Sequence, residues 1–405
     1  MKLFQAKTVG HRRLKDTGWY SMSRNLTVIE GRPGLGKTTL IRTLQSINPG
    51  SGETGLEPFR DYPREVEKSG YRRRIIPGKK TGVFAIFICN EKLRRQLSPI
   101  DPVFFETDRI EVGRRMDWSR WINFVEIAAS SRWSEVAPDL ACLRDLLSQG
   151  NELPRLLKEY ENFEEVKPTK RIKQELADRL NDWLDNAEPR LPEEGRKCLD
   201  QARFKVNRAA RFKKARQVTA ENLPVFVYFD DSGLITADPG RLSLFLDLQP
   251  EDLRENELSG EKKEQVDLRL DELSSLVNTL TDDQDIILGI YNAEGTPRLL
   301  VSKAQGRSGD LEESGAELVW LLSLLIHFLY TADSRLEDTI LLLDEPGSSW
   351  PPSQRELLNP VIEKLASRVQ VIMTCQPGDP LSRGHNANIF FLADNNGRSE
   401  LKKIS

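Results

Sequence analysis

One short motif constrains the fold of this chain more than any other feature of its sequence. Residues 31–38 read GRPGLGKT and match the phosphate-loop pattern G-x-x-x-x-G-K-[ST]. The apolar run at residues 26–29 predicts a buried strand entering the loop, and residues 38–44 predict the helix that leaves it. Such a loop aims backbone N–H groups and a helix N-terminus at one point, which suits a triphosphate. The residues predicted to bind the nucleotide are Gly31, Arg32, Pro33, Gly34, Leu35, Gly36, Lys37, Thr38 and Thr39.

Two side chains of this loop have specific predicted roles. Lys37 is expected to place its charge on the phosphates of ATP, and Thr38 is expected to ligate Mg²⁺ through its hydroxyl. The alternative is a glycine-rich turn that matches the pattern by chance. The strand and helix predicted on either side argue against that alternative. The motif predicts a nucleotide site and leaves the task of the protein open.

A second motif lies about 300 residues further along the chain. Residues 339–346 read TILLLDEP, which predicts a buried core strand that ends in two carboxylates. Open α/β sheets place ligands at the carboxyl ends of their strands. Asp344 is therefore expected to hold Mg²⁺, and Glu345 to orient or deprotonate the water that attacks the γ-phosphate. The alternative is an acidic helix cap, which the phosphate loop in the same chain disfavours.

Residues at two further places in the sequence, 314–315 and 376, are candidate site residues. Ser314 and Gly315 precede a strongly apolar helix, and a helix N-terminus is an anion site. The alternative is that Ser314 is an ordinary helix cap. Gln376 follows the strand predicted at residues 369–375, so it is expected near the same edge of the sheet.

Composition narrows the class of protein. The formal net charge is −3 over 405 residues, which does not indicate a general polyanion binder. The cysteines Cys89, Cys142, Cys198 and Cys375 are scattered without a C-x-x-C pair, which argues against a zinc site and a disulfide scaffold and favours a reducing compartment. No run approaches the roughly 18 apolar residues of a membrane span, and the chain starts without a leader-like segment. We expect a cytoplasmic protein with no membrane contact.

The chain divides into three predicted segments. Residues 1–117 and 223–405 are expected to form the two parts of one nucleotide-binding head. Residues 118–222 are charged, leucine-spaced and interrupted by prolines, which predicts a compact helical insertion rather than one long coiled coil. Within it, residues 196–216 are rich in lysine and arginine with Phe204 and Phe212 interleaved. This segment either lies on DNA or RNA phosphates or is a solvated helix whose phenylalanines face the core.

Taken together, these motifs resemble the OLD-like ATPases, relatives of RecF and SMC heads that are often found in bacterial antiphage systems. The landmarks are residues 31–38, 61–64 (DYPR), 223–231 (LPVFVYFDD), 314–315 and 343–347 (LDEPG). The resemblance covers the ATPase frame, and it is weakest in the helical insertion. It implies an α/β fold, namely an ABC-type P-loop NTPase head with a mixed sheet and an inserted α-helical subdomain.

The resemblance also implies a way of working. It implies ATP and Mg²⁺ as cofactors, a homodimer or higher homo-oligomer, and Ser314 and Gly315 contacting γ-phosphate bound to the opposite subunit. It further implies a separate effector, such as a nuclease or toxin, because only about 60 residues follow Glu345 and leave no room for the family's C-terminal nuclease domain.

Two departures from the family pattern bear on activity. Gln376 stands where the family usually has a histidine, and glutamine can hydrogen-bond a phosphate but carries no charge. Glutamate stands at residues 312 and 313, where an arginine often precedes the family's serine-glycine signature. Two alternatives therefore stay open: a RecF-like DNA-repair ATPase that acts directly on DNA, and a non-hydrolysing scaffold or sensor that holds its nucleotide.

Overall fold

A computed structural model describes residues 1–53, 76–149, 154–234, 240–249, 252, 260–281, 285–293, 296–303, 308–332, 336–382 and 387–403. The DYPR run at residues 61–64 lies outside the described residues.

The described parts of the chain contain both strands and helices. The strands are β1 (Lys2–His11), β2 (Leu14–Asp16), β3 (Tyr20–Ser21), β4 (Leu26–Gly31), β5 (Thr81–Ile88), β6 (Arg109–Arg115), β7 (Arg120–Phe124), β8 (Val225–Asp230), β9 (Ile286–Ala293), β10 (Thr296–Lys303), β11 (Gly309–Asp310), β12 (Thr339–Asp344), β13 (Gln370–Cys375), β14 (Asn388–Asn395) and β15 (Arg398–Lys403). The helices are α1 (Lys37–Gln45), α2 (Glu91–Leu97), α3 (Val103–Glu106), α4 (Trp133–Gln149), α5 (Pro154–Glu164), α6 (Gln174–Ala187), α7 (Arg196–Val206), α8 (Arg208–Glu221), α9 (Gly240–Leu246), α10 (Gly260–Leu280), α11 (Ala316–Thr331), α12 (Pro352–Arg355) and α13 (Leu358–Arg368).

The central sheet has the strand order β15-β14-β4-β13-β12-β8. Neighbouring strands from β14 to β8 pair in parallel, and β15 pairs antiparallel with β14, so the sheet is mixed. Every residue of β12 and β13 is buried, as expected for apolar runs in strands covered on both faces. The parallel pairing brings the carboxyl ends of β4, β8, β12 and β13 to one edge of the sheet.

The described residues form two further sheets, of six and three strands. One has the order β2-β1-β5-β6-β7, with β3 also paired to β1, and its β1–β5 pair is antiparallel. The other is an antiparallel sheet of β9, β10 and β11. Most residues of helix α11 are buried in the same apolar core as residues of β12 and β13, and Trp320 is fully buried. Among the described residues, no helix combines the length and apolar character needed to cross a membrane.

The chain forms two compact units. The first, called here the head unit, comprises Met1–Ile88, Val112–Trp121 and Leu223–Ser405; the second, the helical unit, comprises Cys89–Glu111 and Ile122–Asn222. The head unit contains the central sheet, and the helical unit has its own core around Trp183, Leu140 and Leu180. The predicted fold class is confirmed: an α/β P-loop head with a mixed sheet and an inserted helical subdomain.

Two features near the boundaries of the helical unit differ from the segments predicted from the sequence. The helical unit includes residues 89–111, which the sequence analysis assigns to the head. Residues 120–124, which the sequence predicts as the start of the helical insertion, form strand β7, and the first two of them belong to the head unit. The reason is a short period-two pattern in which Ile122 and Phe124 are buried and their neighbours are less so.

A disulfide is the clearest departure from the sequence prediction. Cys142 of α4 and Cys198 of α7 are disulfide-bonded, with their Cα atoms 6.6 Å apart. The scattered cysteines, without a C-x-x-C pair, argue against a disulfide scaffold. That inference is wrong for this pair, since spacing along the chain does not report that α4 packs against α7. Among the described residues, Cys89 and Cys375 are free and buried.

We expect Cys198→Ser to destabilise the helical unit. The disulfide closes a loop of 56 residues, and a loop of that length is expected to contribute about 4 kcal/mol by restricting the unfolded chain. Denaturant unfolding followed by far-UV circular dichroism, without reductant, measures the loss in the free energy of unfolding. Reductant should lower the stability of the wild type by a similar amount and leave the variant unchanged. Coincident unfolding curves for the wild type and the variant, both without reductant, would contradict the prediction.

Candidate nucleotide-binding site

The phosphate loop occupies the connection that the sequence predicts. Strand β4 ends at Gly31 and helix α1 begins at Lys37. Gly34 and Gly36 have φ values of 79° and 93°, a left-handed conformation that favours glycine, and Gly36 is the N-cap residue of α1. Ser399 Oγ of β15 donates to the carbonyl of Leu35 at 2.5 Å. Local glycine chemistry and a distant strand therefore fix the loop together.

Lys37 is a buried cation at the centre of the site. Its side chain is 4% exposed, and its Nζ donates to the carbonyls of Gly31 at 2.6 Å and Arg32 at 3.3 Å. The same Nζ lies 2.8 Å from Glu345 Oε1. The loop lysine and the glutamate that follows the acidic strand are thus in direct contact, although they are about 300 positions apart in the sequence.

Asp344 is buried at the end of β12, where neighbouring strands hold its carboxylate. Thr374 Oγ1 of β13 donates to Oδ1 at 2.5 Å, and the Tyr228 hydroxyl of β8 lies 2.9 Å from Oδ2. The same hydroxyl also lies 2.9 Å from Asp230 Oδ2. Burial raises the pKa of Tyr228, and the charges of Asp344 and Asp230 raise it further. The phenol therefore stays protonated and keeps its hydrogen for a carboxylate.

Tyr228 is also fixed from its ring face. The guanidinium carbon of Arg42, on α1, lies 3.4 Å from the ring centroid, which is a close cation–π contact. The helix that begins in the phosphate loop therefore touches the residue that orients Asp344.

Glu345 adopts an unusual backbone conformation. Its φ is 48°, in the left-handed region that few residues other than glycine occupy. Its N–H donates to Thr374, to Oγ1 at 3.0 Å and to the carbonyl oxygen at 3.2 Å. Gln376 Nε2 lies 3.5 Å from Glu345 Oε2, so the predicted sensor residue reaches the predicted base.

A cavity of about 240 Å³ opens beside these residues. Arg12 and Arg13, which lie in the turn between β1 and β2, line this cavity and were not predicted as site residues. Arg13 Nη1 donates to the carbonyl of Gly34 at 3.3 Å, and its Nη2 lies 2.5 Å from Asp394 Oδ1. The lining residues are Arg12, Arg13, Gly34, Gly36, Lys37, Thr38, Thr39 and Glu345.

Ser314 and Gly315 lie at the start of α11 and do not line this cavity. Gly315, with φ of 99°, is the N-cap residue of α11, and no side chain caps that helix. Ser314 Oγ donates to the carbonyl of Asp310 at 3.3 Å. The alternative in which Ser314 is an ordinary helix cap is therefore wrong, whereas a contact with a second subunit stays a prediction.

The basic segment at residues 196–216 forms α7 and α8. Phe212 is buried, as predicted if the segment is a solvated helix whose phenylalanines face the core, which is called here the packed-helix interpretation. Phe204 is instead 47% exposed, and the guanidinium carbon of Arg211 lies 3.6 Å from its ring centroid. Several cations of the segment are paired within the helical unit, and this use of their charge favours the packed-helix interpretation over nucleic-acid binding. The pairs are Arg203 with Asp185 and Glu188, Lys205 with Asp139, Arg208 with Glu135, and Arg211 with Asp101.

Several site residues that the sequence analysis missed follow one signal. Asp230 is the last residue of the buried strand β8 and Asp231 follows it, just as Asp344 is the last residue of β12 and Glu345 follows it. The two strands pair in parallel with Asp344 opposite Asp230. The carboxylates of Asp230 and Asp231, at the end of a second buried strand, therefore indicated that β8 also places side chains at the carboxyl-end edge of the central sheet. Tyr228 carried no such signal, because its hydroxyl reaches Asp344 only through strand pairing.

No protein-family model and no curated protein matches this sequence. Similar solved structures include an SMC head bound to the C-winged helix domain of ScpA, with 12% identity, a TM-score of 0.43 and coverage of 100% of this chain and 98% of that one. The SMC head domain from Thermotoga maritima has 9% identity, a TM-score of 0.42 and full coverage of both chains. An SMC head with an extended coiled coil, bound to the C-terminal domain of ScpA and derived from Pyrococcus furiosus, has 12% identity, a TM-score of 0.41 and coverage of 100% and 96%. The fold assignment depends on the strand order and the position of the phosphate loop, and not on these likenesses.

Proposed function

We propose that this chain is an ABC-type ATPase of the OLD-like class that binds ATP with Mg²⁺ and hydrolyses it at the interface of a homodimer. Closure around ATP and opening after hydrolysis control a separate effector protein, a nuclease or toxin, in antiviral defence. The observation that carries the proposal is the 2.8 Å contact between Lys37 Nζ and Glu345 Oε1 at the end of the phosphate loop.

The residues at this edge of the sheet suit Mg²⁺ and a triphosphate. Mg²⁺ prefers oxygen ligands, which the Thr38 hydroxyl and the Asp344 carboxylate provide. Each carboxylate oxygen of Asp344 has one hydrogen-bond partner, Thr374 or Tyr228, and retains a lone pair for a further ligand. When bound, the nucleotide and metal supply the γ-phosphoryl group and neutralise its developing charge.

Three side chains have separate proposed roles in phosphate binding, water activation and γ-phosphate sensing. Lys37 places its charge on the phosphates, which compete with Glu345 for the ammonium group. Release from Lys37 leaves the Glu345 carboxylate able to orient a water and accept its proton. Gln376 adds an uncharged hydrogen-bond donor beside Glu345, which supports γ-phosphate sensing without a second positive charge.

The size of the cavity supports a site completed by a second copy. Its volume of about 240 Å³ is below the roughly 300–1,000 Å³ of typical ligand pockets, so the described residues of one chain enclose the phosphate end of a nucleotide at most. Ser314 and Gly315, which lie at the N-terminus of a long helix, are the residues proposed to cover the γ-phosphate bound by the partner. Effector control rests on the family resemblance of the motifs.

One alternative has a specific observation in its favour. Glu345 is engaged by Lys37 and by Gln376, which carries no charge, and this arrangement suits a slow site that holds ATP as a sensor. The DNA-repair alternative has less support, because ion pairs within the helical unit use much of the basic segment at residues 196–216.

Phosphate release by the purified full chain tests the proposal. We expect turnover that requires both ATP and Mg²⁺ and that duplex DNA does not change at low or moderate salt. Retention of ATP without turnover would support the sensor instead. Stimulation by DNA that disappears as salt is raised would support the DNA-repair ATPase, since phosphate contacts are lost as salt increases.

A further inference from the structure

The turn after Glu345 is held in a conformation that its own sequence does not favour. Glu345 has φ of 48° and Gly347 has φ of 66°, so two residues of one tight turn are left-handed. A glutamate in this region is strained, and such strain persists only where surrounding contacts fix it. The bonds inside the turn are short-range ones, such as Ser348 N–H to the Glu345 carbonyl at 3.0 Å.

Asp231 supplies the contacts that fix this turn from outside. Its Oδ1 accepts the N–H of Gly347 at 3.0 Å. Its Oδ2 accepts the N–H of Ser349 at 3.2 Å and lies 3.2 Å from the hydroxyls of Ser348 and Ser349. One carboxylate thus receives donors from three consecutive residues of the turn that begins at Glu345.

Asp231 is itself anchored by the strand before it. It opens a one-turn 3-10 helix directly after β8, and Asp230 accepts the N–H of Ser232 at 3.1 Å as the N-cap of that turn. Strand β8 pairs with β12 with Asp230 opposite Asp344. The position of Asp231 relative to the turn is therefore set by the sheet and not by a loop alone.

We propose that Asp231 is a positioning residue that holds Glu345 in the conformation required for hydrolysis, an inference that rests on the proposed function. Glu345 is fixed on one side by Thr374, which receives its N–H, and on the other by Asp231, which holds the turn. Asp231 acts through the turn at residues 347–349 and does not line the cavity. Its loss should therefore slow hydrolysis and leave ATP binding intact.

Asp231→Ala is expected to lower kcat by about 10- to 100-fold. The reason is that a displacement on the order of 1 Å at a reacting group can lower the rate by about 100-fold. The Kd for ATP should be unchanged. Asp231→Asn keeps an oxygen that can accept the Gly347 N–H, so it should recover part of the loss. A residue needed only for stability would not separate kcat from ATP affinity in this way. The matched control is Asp117→Ala, since Asp117 also closes a turn by accepting the N–H and hydroxyl of Ser119.

Amide hydrogen exchange over residues 345–350 provides a second reading that does not depend on turnover. Asp231→Ala should speed exchange at Gly347 and Ser349, and Asp117→Ala should not. Wild-type kcat in Asp231→Ala overturns the positioning role, whatever the exchange rates. If the wild type itself shows no turnover, the proposed function fails, and exchange alone decides whether Asp231 holds the turn: equal rates overturn that statement and faster rates support it.

Discussion

Replacing Lys37 with alanine should weaken binding of ATP with Mg²⁺ by on the order of 100-fold or more. Lys37 is 4% exposed and is the buried cation at the end of the phosphate loop. Removing one partner of a buried charge contact typically costs about 2–5 kcal/mol, and every 1.4 kcal/mol or so is a factor of ten in affinity. Titration calorimetry with ATP and Mg²⁺ measures the change.

The matched control for Lys37→Ala is Lys263→Ala. Lys263 is an exposed lysine on α10, so its removal changes the net charge equally without touching the phosphate loop. This control should bind ATP as the wild type does. Wild-type affinity in Lys37→Ala would remove the basis for a nucleotide site at residues 31–38.

The second large effect is expected for Glu345→Gln. Loss of a general base typically lowers a rate by about 10²- to 10⁴-fold, so kcat for ATP should fall within that range. ATP affinity should stay equal or increase, because glutamine does not compete with the phosphates for Lys37 as the carboxylate does. The variant should also accumulate as an ATP-bound dimer, which sedimentation with and without ATP detects.

Glu264→Gln serves as the control for that experiment. Glu264 is exposed on α10 and is replaced with the same change of charge and shape. Unchanged turnover in Glu345→Gln would assign the catalytic base to another residue. A large loss of ATP affinity would instead make Glu345 a binding residue.

The strand–loop–helix unit and the acidic strand could be predicted because each is encoded by contiguous residues. The apolar run before Gly31 and the glycines at 34 and 36 define the loop, and the run before Asp344 defines a doubly covered strand. Their proximity follows from a general rule, since parallel strands present their carboxyl ends at one edge of a sheet.

The contacts that tune the site could not be predicted in the same way. Tyr228 reaches Asp344 across 116 positions, and Arg13 reaches Asp394 across 381. Such contacts depend on which strands are neighbours and in what register, and periodicity along one segment reports neither. The disulfide between Cys142 and Cys198 was missed for the same reason, because only the packing of α4 on α7 brings the two thiols together.

The basic segment at residues 196–216 illustrates a different limit. Its composition is equally compatible with a surface for nucleic acid and with a helix whose charges pair inside the protein. The distinction lies in acidic partners such as Asp101 and Asp139, which are about 110 and 66 positions away. Charge counting along a segment cannot reveal those partners.

The central claim is that two distant segments form one site for Mg²⁺ and a triphosphate. A crystal structure of the full chain with Mg²⁺ and a non-hydrolysable ATP analogue tests it most directly. We predict phosphates on Lys37 and the backbone of residues 31–38, with Asp344 and Glu345 facing the metal and the γ-phosphate. Electron density for the analogue at another place, or at the loop with Asp344 and Glu345 turned away from it, would contradict the account.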